Sequence, residues 1–251
     1  MTPLAVNSSA FGLSLALIVG YHIYLHYRQR RDPSYSIQTI NNLARESWVE
    51  NIMAACEKQG ILAIQTLRNS TMAATFLAST AILLNIGVIN LMGHDDNFSR
   101  ILNPVHAGSS EFVSYLWVAK LLFLLVVFFW AFFCFSLAVR LYNHVGYLVN
   151  SSNSNGVFSP TPAYVAQLLN RSGHYYSQGM RCYYLSVPLV FWLLGPLYML
   201  AASLGLVIVL YHVDRAPRTA DTALEYPQLP SQTGSSSAAI TIVARKAANA
   251  E

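Results

Sequence analysis

The positions of the charged residues divide the chain into long apolar stretches joined by polar connections. Asp, Glu, Lys and Arg are absent from residues 1–27, 69–94, 121–139 and 182–213. A helix needs about 20 mostly apolar residues to cross the hydrocarbon core of a bilayer. None of the stretches shows the period-two alternation that is typical of membrane barrel strands. We therefore predict four transmembrane helices, at residues 8–27, 71–93, 116–139 and 184–211.

The overall composition supports a membrane protein. Hydrophobic residues make up 54% of the chain and charged residues only 10%, whereas charged residues form roughly 25% of soluble domains. The predicted fold class is an all-α integral membrane protein, a four-helix transmembrane bundle with amphipathic helices in its inner loops. Residues 1–215 would form this membrane domain. Residues 216–251 are rich in Pro, Ser, Ala and Thr without a period, which predicts a disordered tail.

Two inner connections carry helical patterns of their own. In the first connection, apolar residues recur at three- and four-residue spacing, and Glu46 and Glu50 lie on the opposite face. These apolar residues are Ile37, Ile40, Leu43, Ala44, Trp48, Ile52 and Met53. In the second connection, Thr161 is a suitable N-cap and Pro162 a suitable first helical residue. We expect the first of these helices to lie flat on the membrane or to pack under the bundle.

Glycine and proline positions set the expected lengths of two spans. Between Ile61 and Met92 the only such residue is Gly87, so a single helix longer than the hydrocarbon core is expected there. The fourth span contains Pro188 and the pair Gly195-Pro196. Because proline removes a helical hydrogen bond and clashes with the preceding turn, we expect a kink or a break in that span.

The distribution of Lys and Arg predicts the orientation of the chain. Arg28, Arg30 and Arg31 follow the first span, which places the N-terminus outside. Four spans then leave both termini on the non-cytoplasmic side of a plasma membrane or endomembrane. The net charge of +4 suits an anionic lipid surface and does not point to a nucleic acid.

Polar residues gather at the predicted inner ends of the spans and form the candidate site. Arginine binds phosphate and carboxylate groups through two parallel hydrogen bonds, so the predicted ligand is an anionic lipid. The alternative is that these arginines only orient the protein and extend their charged ends to the interface. The candidate residues are His22, Arg68, Asn69, Arg140, Asn143, His144, Arg171 and Arg181.

No cofactor is predicted, because the histidines on different spans do not match in depth. If Arg28 and Arg140 mark one boundary, His22 and His144 are ten residues apart in depth, about 15 Å along a helix. A haem or metal bound by both is therefore the minor alternative. The predicted spans also lack carboxylates and central basic groups, which counts against coupled proton or sodium transport.

Several short motifs resemble one family over about residues 15–214. They are Tyr21-His22, Arg45-Glu46-Ser47-Trp48-Val49, residues 60–69 (GILAIQTLRN), Leu77-Ala78-Ser79-Thr80, residues 140–145 (RLYNHV), residues 168–171 (LLNR), Arg181-Cys182-Tyr183-Tyr184 and residues 191–196 (FWLLGP). The chain resembles a plant and bacterial membrane family known as domain of unknown function 599. This resemblance implies a multi-span membrane protein and transfers no activity, cofactor or catalytic residue.

Three functions remain open. The first is a non-enzymatic membrane protein whose inner face binds an anionic lipid, a protein partner or a second copy of the chain. The second is a membrane redox or lipid-modifying enzyme that uses the interfacial histidines. The third is a channel or transporter that uses the kinked fourth span.

Overall fold

The computed structural model describes residues 3–31, 36–93, 111–151 and 160–215, which form six α-helices. They are α1 (Pro3–Arg31), α2 (Ile37–Ala54), α3 (Cys56–Gly93), α4 (Glu111–Ser151), α5 (Pro162–Leu194) and α6 (Pro196–Asp214). Four of them, α1, α3, α4 and α6, contain a stretch long and apolar enough to cross a membrane. The predicted all-α membrane fold with four such helices is therefore confirmed. Residues 216–251, the predicted disordered tail, lie outside the described residues.

Helices α4 and α5 pack against each other along most of their length and run antiparallel. Lys120 near the start of α4 meets Trp192 near the end of α5, and Val149 near the end of α4 shares a core with Val165 near the start of α5. Between these ends, the fully buried ring of Phe135 lies against Gly179. The two helices thus form the central pair of the structure.

Helix α3 packs on α4, also antiparallel, and both extend beyond a hydrocarbon core. They have 38 and 41 residues, which is about 57 and 62 Å against a core of about 30 Å. The single overlong helix expected between Ile61 and Met92 is present and begins earlier, at Cys56. The excess length of both helices lies at the end of the bundle that carries Arg68 and Arg140, which we call the basic end.

The segments of α3 and α4 at the basic end pack with α2 and with the start of α5. Thr161 caps α5 by accepting a hydrogen bond from the Tyr164 amide, as its sequence predicts. The predicted amphipathic helix is α2. It was expected to lie flat on the membrane or to pack under the bundle, and it packs against the bundle. Its glutamate Glu46 accepts a hydrogen bond from the Asn170 amide of α5 at 2.9 Å. We call this four-helix unit the base; its core contains Val49, Ile52, Leu67, Val145, Val149, Val165 and Leu169.

The chain turns back on itself at Gly195, between α5 and α6. Gly195 has a backbone φ of 155°, a conformation that residues with a side chain rarely adopt. The two helices meet again far from this turn, where Arg181 of α5 lies 3.6 Å from Asp214 of α6. The predicted fourth span therefore divides into two antiparallel limbs, residues 184–194 and 196–211. Pro188, the other expected site of interruption, lies within the continuous α5.

This turn places the two described ends of the chain at opposite ends of the bundle. Phe11, near the start of α1, stacks on Trp192 close to the Gly195 turn. Arg215, after α6, instead pairs with Ser36, which follows α1. The prediction that both termini share one side of the membrane treated residues 184–211 as a single pass, whereas α6 runs back along α5 toward the basic end. It stays a prediction for the C-terminus, which lies outside the described residues.

The contact between Gly179 and Phe135 can be tested by adding one methyl group. A β-carbon at Gly179 would lie 2.7 Å from the Phe135 ring, which is fully buried and has no room to move. We expect Gly179→Ala to destabilise the protein by about 1–3 kcal/mol through overpacking and to lower its melting temperature in detergent.

The control is Gly87→Ala in α3, where no atom lies within 4 Å of the added carbon. This change should leave the melting temperature unchanged or raise it slightly, because alanine favours the helix by up to about 1 kcal/mol. Equal melting temperatures for the two variants would mean that α5 does not pack on α4 in this register.

Candidate functional site

The eight predicted site residues do not converge on one cluster. Arg68 and Asn143 meet in a furrow between α3 and α4. His22 lies in a separate groove beside α1, and Arg181 pairs with Asp214. Four of the predicted residues line neither the furrow nor the groove and are exposed on α3, α4 or α5. They are Asn69, Arg140, His144 and Arg171.

The furrow between α3 and α4, which we call the α3–α4 furrow, has a polar mouth and an apolar interior. Its volume at the basic end is about 640 Å³. The mouth is lined by Arg68, Asn143, Tyr147 and Asn150, and the continuation by Thr71, Met72, Thr75 and Phe76. A second cavity of about 540 Å³ shares Thr75 and extends the furrow to Leu83 along the same two helices.

The wall that α3 contributes to the furrow is mainly apolar. Leu67 of α3 lies close to Gly146 of α4, 3.8 Å from the position of an added β-carbon. Thr75, which lines both cavities of the furrow, donates its hydroxyl to the Thr71 carbonyl at 2.9 Å. Because this donor is already satisfied within α3, the middle of the furrow presents mainly carbon atoms.

Arg68 is the charged group at the mouth of this furrow. It is exposed and makes no hydrogen bond or ion pair with any described residue. Since Leu67 lies beside Gly146 and the two helices are antiparallel, Arg140 of α4 lies five residues, about 8 Å, closer to the Gly195 turn than Arg68. Arg140 is also exposed but lies outside the furrow. The two arginines therefore differ in level and in their access to the furrow.

A separate cavity beside α1, which we call the α1 groove, has a volume of about 760 Å³ and is almost wholly apolar. Helix α1 forms one wall, and α4, α5 and α6 supply the rest. His22, His26 and Tyr27 of α1 are its polar lining residues. The Nδ1 atom of His22 bonds the Ile18 carbonyl at 2.9 Å.

A polar face of α5 continues from this groove toward the base. His174, Gln178 and Arg181 lie at i, i+4 and i+7, and Leu185 of the groove follows one turn later. The Gln178 amide lies 3.0 Å from the Nε2 atom of His174 and 3.9 Å from the Cys134 sulfur of α4. Arg171, below this face, stacks on Tyr175 of its own helix.

Arg181 and Asp214 form an ion pair inside the apolar layer. Gln178 faces Cys134, so Arg181 lies near the level of Ala131, about 13 Å from Arg140 along α4. The second carboxylate oxygen of Asp214 accepts a hydrogen bond from the Tyr21 hydroxyl at 3.0 Å. The sequence predicted no carboxylate within residues 184–211, and Asp214 lies three residues beyond that span; its pairing with Arg181 neutralises both charges where isolated charges are costly.

Arg45 of α2 is a polar group that the candidate set omitted. Its guanidinium lies against Gly173 of α5, where a β-carbon would be only 2.5 Å from Cζ, and it donates to Asn42 at 3.1 Å. Burial lowers the pKa of Arg45, and the nearby Tyr142 hydroxyl opposes this shift. The sequence signal for this contact is Gly173 of α5, because any side chain at that position would collide with the Arg45 guanidinium.

Histidines on different helices do not share one site. His22 lies in the α1 groove, whereas His144 is exposed on α4 outside both cavities. Among the described residues, no group of three His, Cys, Asp or Glu side chains is placed to bind a metal ion. His22 and His144 are therefore not brought together at one site.

Comparison with known proteins gives a family that covers every helix described above. A family described as "Protein of unknown function, DUF599" matches residues 9–219. The chain belongs to this family. No curated protein and no solved structure matches the chain. Two DUF599-like motifs, residues 60–69 and 140–145, pack against each other in this structure, since Leu67 shares a core with Tyr142 and Val145. They contribute Arg68 and Asn143 to the mouth of the α3–α4 furrow.

The ion pair of this DUF599 protein can be tested with a double-mutant cycle. Arg181→Gln or Asp214→Asn alone leaves a charged partner without its counter-charge, so each should cost about 1–3 kcal/mol of stability. Since the two groups are in contact, the double variant should lose less than the sum of the single losses. Melting temperatures in detergent measure this, and additive losses would show that the two side chains do not interact.

Proposed function

We propose that the protein binds an anionic lipid in the α3–α4 furrow. The phosphate group would contact Arg68 at the mouth, and one acyl chain would follow α3 toward Leu83. The observation that carries this proposal is the position of Arg68, a cation without a described partner at the polar mouth of an apolar furrow.

The dimensions of the furrow support an acyl chain. Fifteen residues separate Arg68 from Leu83, which is about 22 Å along α3. One leaflet of the hydrocarbon core is about 15 Å deep, so the furrow is long enough for a chain that begins at the interface. Its two cavities, which meet at Thr75, are lined there by apolar and small side chains.

The polar groups at the mouth support a phosphate headgroup. A guanidinium donates to phosphate oxygens through paired, charge-assisted hydrogen bonds. The amide of Asn143 and the hydroxyl of Tyr147 are further donors at the same mouth. Arg68 directly precedes the charge-free part of α3, and Asn143 and Tyr147 follow Arg140, which ends the charge-free part of α4; this is the depth expected for a headgroup.

The basic end would face the cytoplasm, where anionic lipids are concentrated. Of the described Lys and Arg residues, only Lys120 lies toward the Gly195 turn; the others lie toward the basic end. These are Arg28, Arg30, Arg31, Arg45, Lys58, Arg68, Arg140, Arg171, Arg181 and Arg215. The start of α1 is then outside, and the end of α6 is inside.

This orientation predicts different protease access at the two ends of the membrane domain. In sealed membrane vesicles of known sidedness, an epitope tag before Pro3 should be cleaved only from the non-cytoplasmic side. A tag inserted after Arg215 should be cleaved only from the cytoplasmic side. Cleavage of both tags from the same side would contradict the hairpin at Gly195.

Lipid binding can be tested by comparing Arg68 with an exposed arginine outside the furrow. The purified protein should retain phosphatidylglycerol in preference to phosphatidylcholine when complexes are counted by native mass spectrometry. Arg68→Ala removes charge-assisted hydrogen bonds worth about 1.5–3 kcal/mol, so phosphatidylglycerol affinity should fall roughly tenfold or more. Asn143→Ala should cause a smaller loss, because it removes a neutral donor.

The control is Arg140→Ala, which removes the same charge about 8 Å closer to the Gly195 turn and outside the furrow. Its effect should stay below about threefold, since only general attraction to the lipid surface is lost. Equal losses from both arginine variants would show diffuse electrostatic attraction in place of a furrow site. Equal retention of the two lipids by the unaltered protein would contradict the proposal altogether.

A further inference from the structure

The α1 groove differs from the α3–α4 furrow in the chemistry of its lining. Of the fourteen described residues that line it, His22, His26 and Tyr27 carry polar side chains, and none is Asp, Glu, Lys or Arg. Within this lining an anionic or zwitterionic headgroup would find no opposite charge; the Arg31 guanidinium lies beyond its end, 4.5 Å from the centroid of the Tyr27 ring. The lining therefore favours a neutral molecule.

The groove is also longer than one leaflet. It runs along α1 from Phe11 to Tyr27, about 24 Å, whereas half of the hydrocarbon core is about 15 Å deep. Near the Gly195 turn, Phe11 stacks on Trp192 with ring centroids 4.8 Å apart and meets Phe123 edge-on. At the other end, His26 and Tyr27 are exposed. This shape fits one long chain whose polar end lies toward the basic end.

The hydrogen bond of His22 determines what its free ring nitrogen can do. A carbonyl oxygen only accepts, so Nδ1 must carry the proton in its 2.9 Å bond to the Ile18 carbonyl. In the neutral ring Nε2 is then an acceptor, and it has no hydrogen-bond partner among the described residues. A group that bonds this nitrogen must be a donor, which a terminal hydroxyl group supplies and an ester or ketone does not.

From these three observations we infer that the α1 groove binds a neutral long-chain lipid that ends in a hydroxyl group. Its chain lies between α1 and the α4–α5 pair, and its hydroxyl donates to Nε2 of His22. This inference is independent of the proposed anionic-lipid site, because the two cavities share no lining residue.

Photo-crosslinking with two matched probes tests the inference. One probe is octadecanol with a diazirine in mid-chain, and the other is the methyl ether of the same molecule, which cannot donate a hydrogen bond. With the full chain in nanodiscs, the alcohol should label peptides of α1 roughly three- to tenfold more strongly than the ether, the ratio expected for one neutral hydrogen bond. His22→Phe should reduce the alcohol to the level of the ether, and His22→Gln, which keeps an acceptor, should restore part of the difference.

The chain provides a matched control in His212→Phe. His212 of α6 makes the same 2.9 Å bond to the carbonyl four residues earlier, but it lies outside the groove. This variant should label like the unaltered protein. Leu15→Trp, which fills the groove, should reduce labelling by both probes.

Three results would overturn the inference. They are equal labelling by alcohol and ether in the unaltered protein, equal effects of His22→Phe and His212→Phe, and labelling that Leu15→Trp leaves unchanged. The methyl ether serves as an internal reference for folding, because a variant that merely misfolds would lose labelling by both probes. A selective loss of alcohol labelling therefore identifies the hydrogen bond itself.

Discussion

The antiparallel packing of α5 on α4 is the contact on which the other parts of the molecule depend. Helix α4 provides a surface for α3 on one side and for α5 on the other, and α5 carries α2 in the base and α6 beyond it. Close approach of the pair requires Gly179 opposite the Phe135 ring. Once α5 is held in this register, its polar residues lie within the apolar layer and must find partners there.

The partners that α5 finds account for the shape of the hairpin. Near the Gly195 turn, Lys120 donates to the Trp192 carbonyl at 2.9 Å, which satisfies one of the unpaired carbonyls at the end of α5. Toward the basic end, Asp214 neutralises Arg181 and accepts from Tyr21, so one carboxylate joins α5, α6 and α1. The hairpin is thus held at both ends by charged groups inside an otherwise apolar region. Helix α1, which packs on α6, depends on the same arrangement and leaves the α1 groove at its side.

The helices could be predicted from the sequence, but the way in which they pack together could not. Charge-free stretches identify helices that can cross a membrane, and Thr161-Pro162 identifies the start of α5, because both signals are local. The direction of α6 is not local: Gly195-Pro196 predicts an interruption, but whether the chain bends or reverses depends on Arg181 meeting Asp214 across thirty-three residues. The predicted site shows the same limit. Arg68 and Asn143 line one furrow because Leu67 of α3 packs beside Gly146 of α4, whereas Arg140 and His144 lie outside it, and the sequence of each helix does not give this register.

The account of function rests on the α3–α4 furrow as a site for one anionic lipid. The most direct measurement is an electron cryomicroscopy map of the protein in nanodiscs that contain phosphatidylglycerol and phosphatidylcholine. If the furrow binds an anionic lipid, we expect elongated density along α3 from Arg68 to Leu83, with a phosphate-sized feature at the Arg68 guanidinium. A map that resolves lipid chains around the other helices but leaves this furrow empty, or that places phosphate features equally at Arg140, would contradict it.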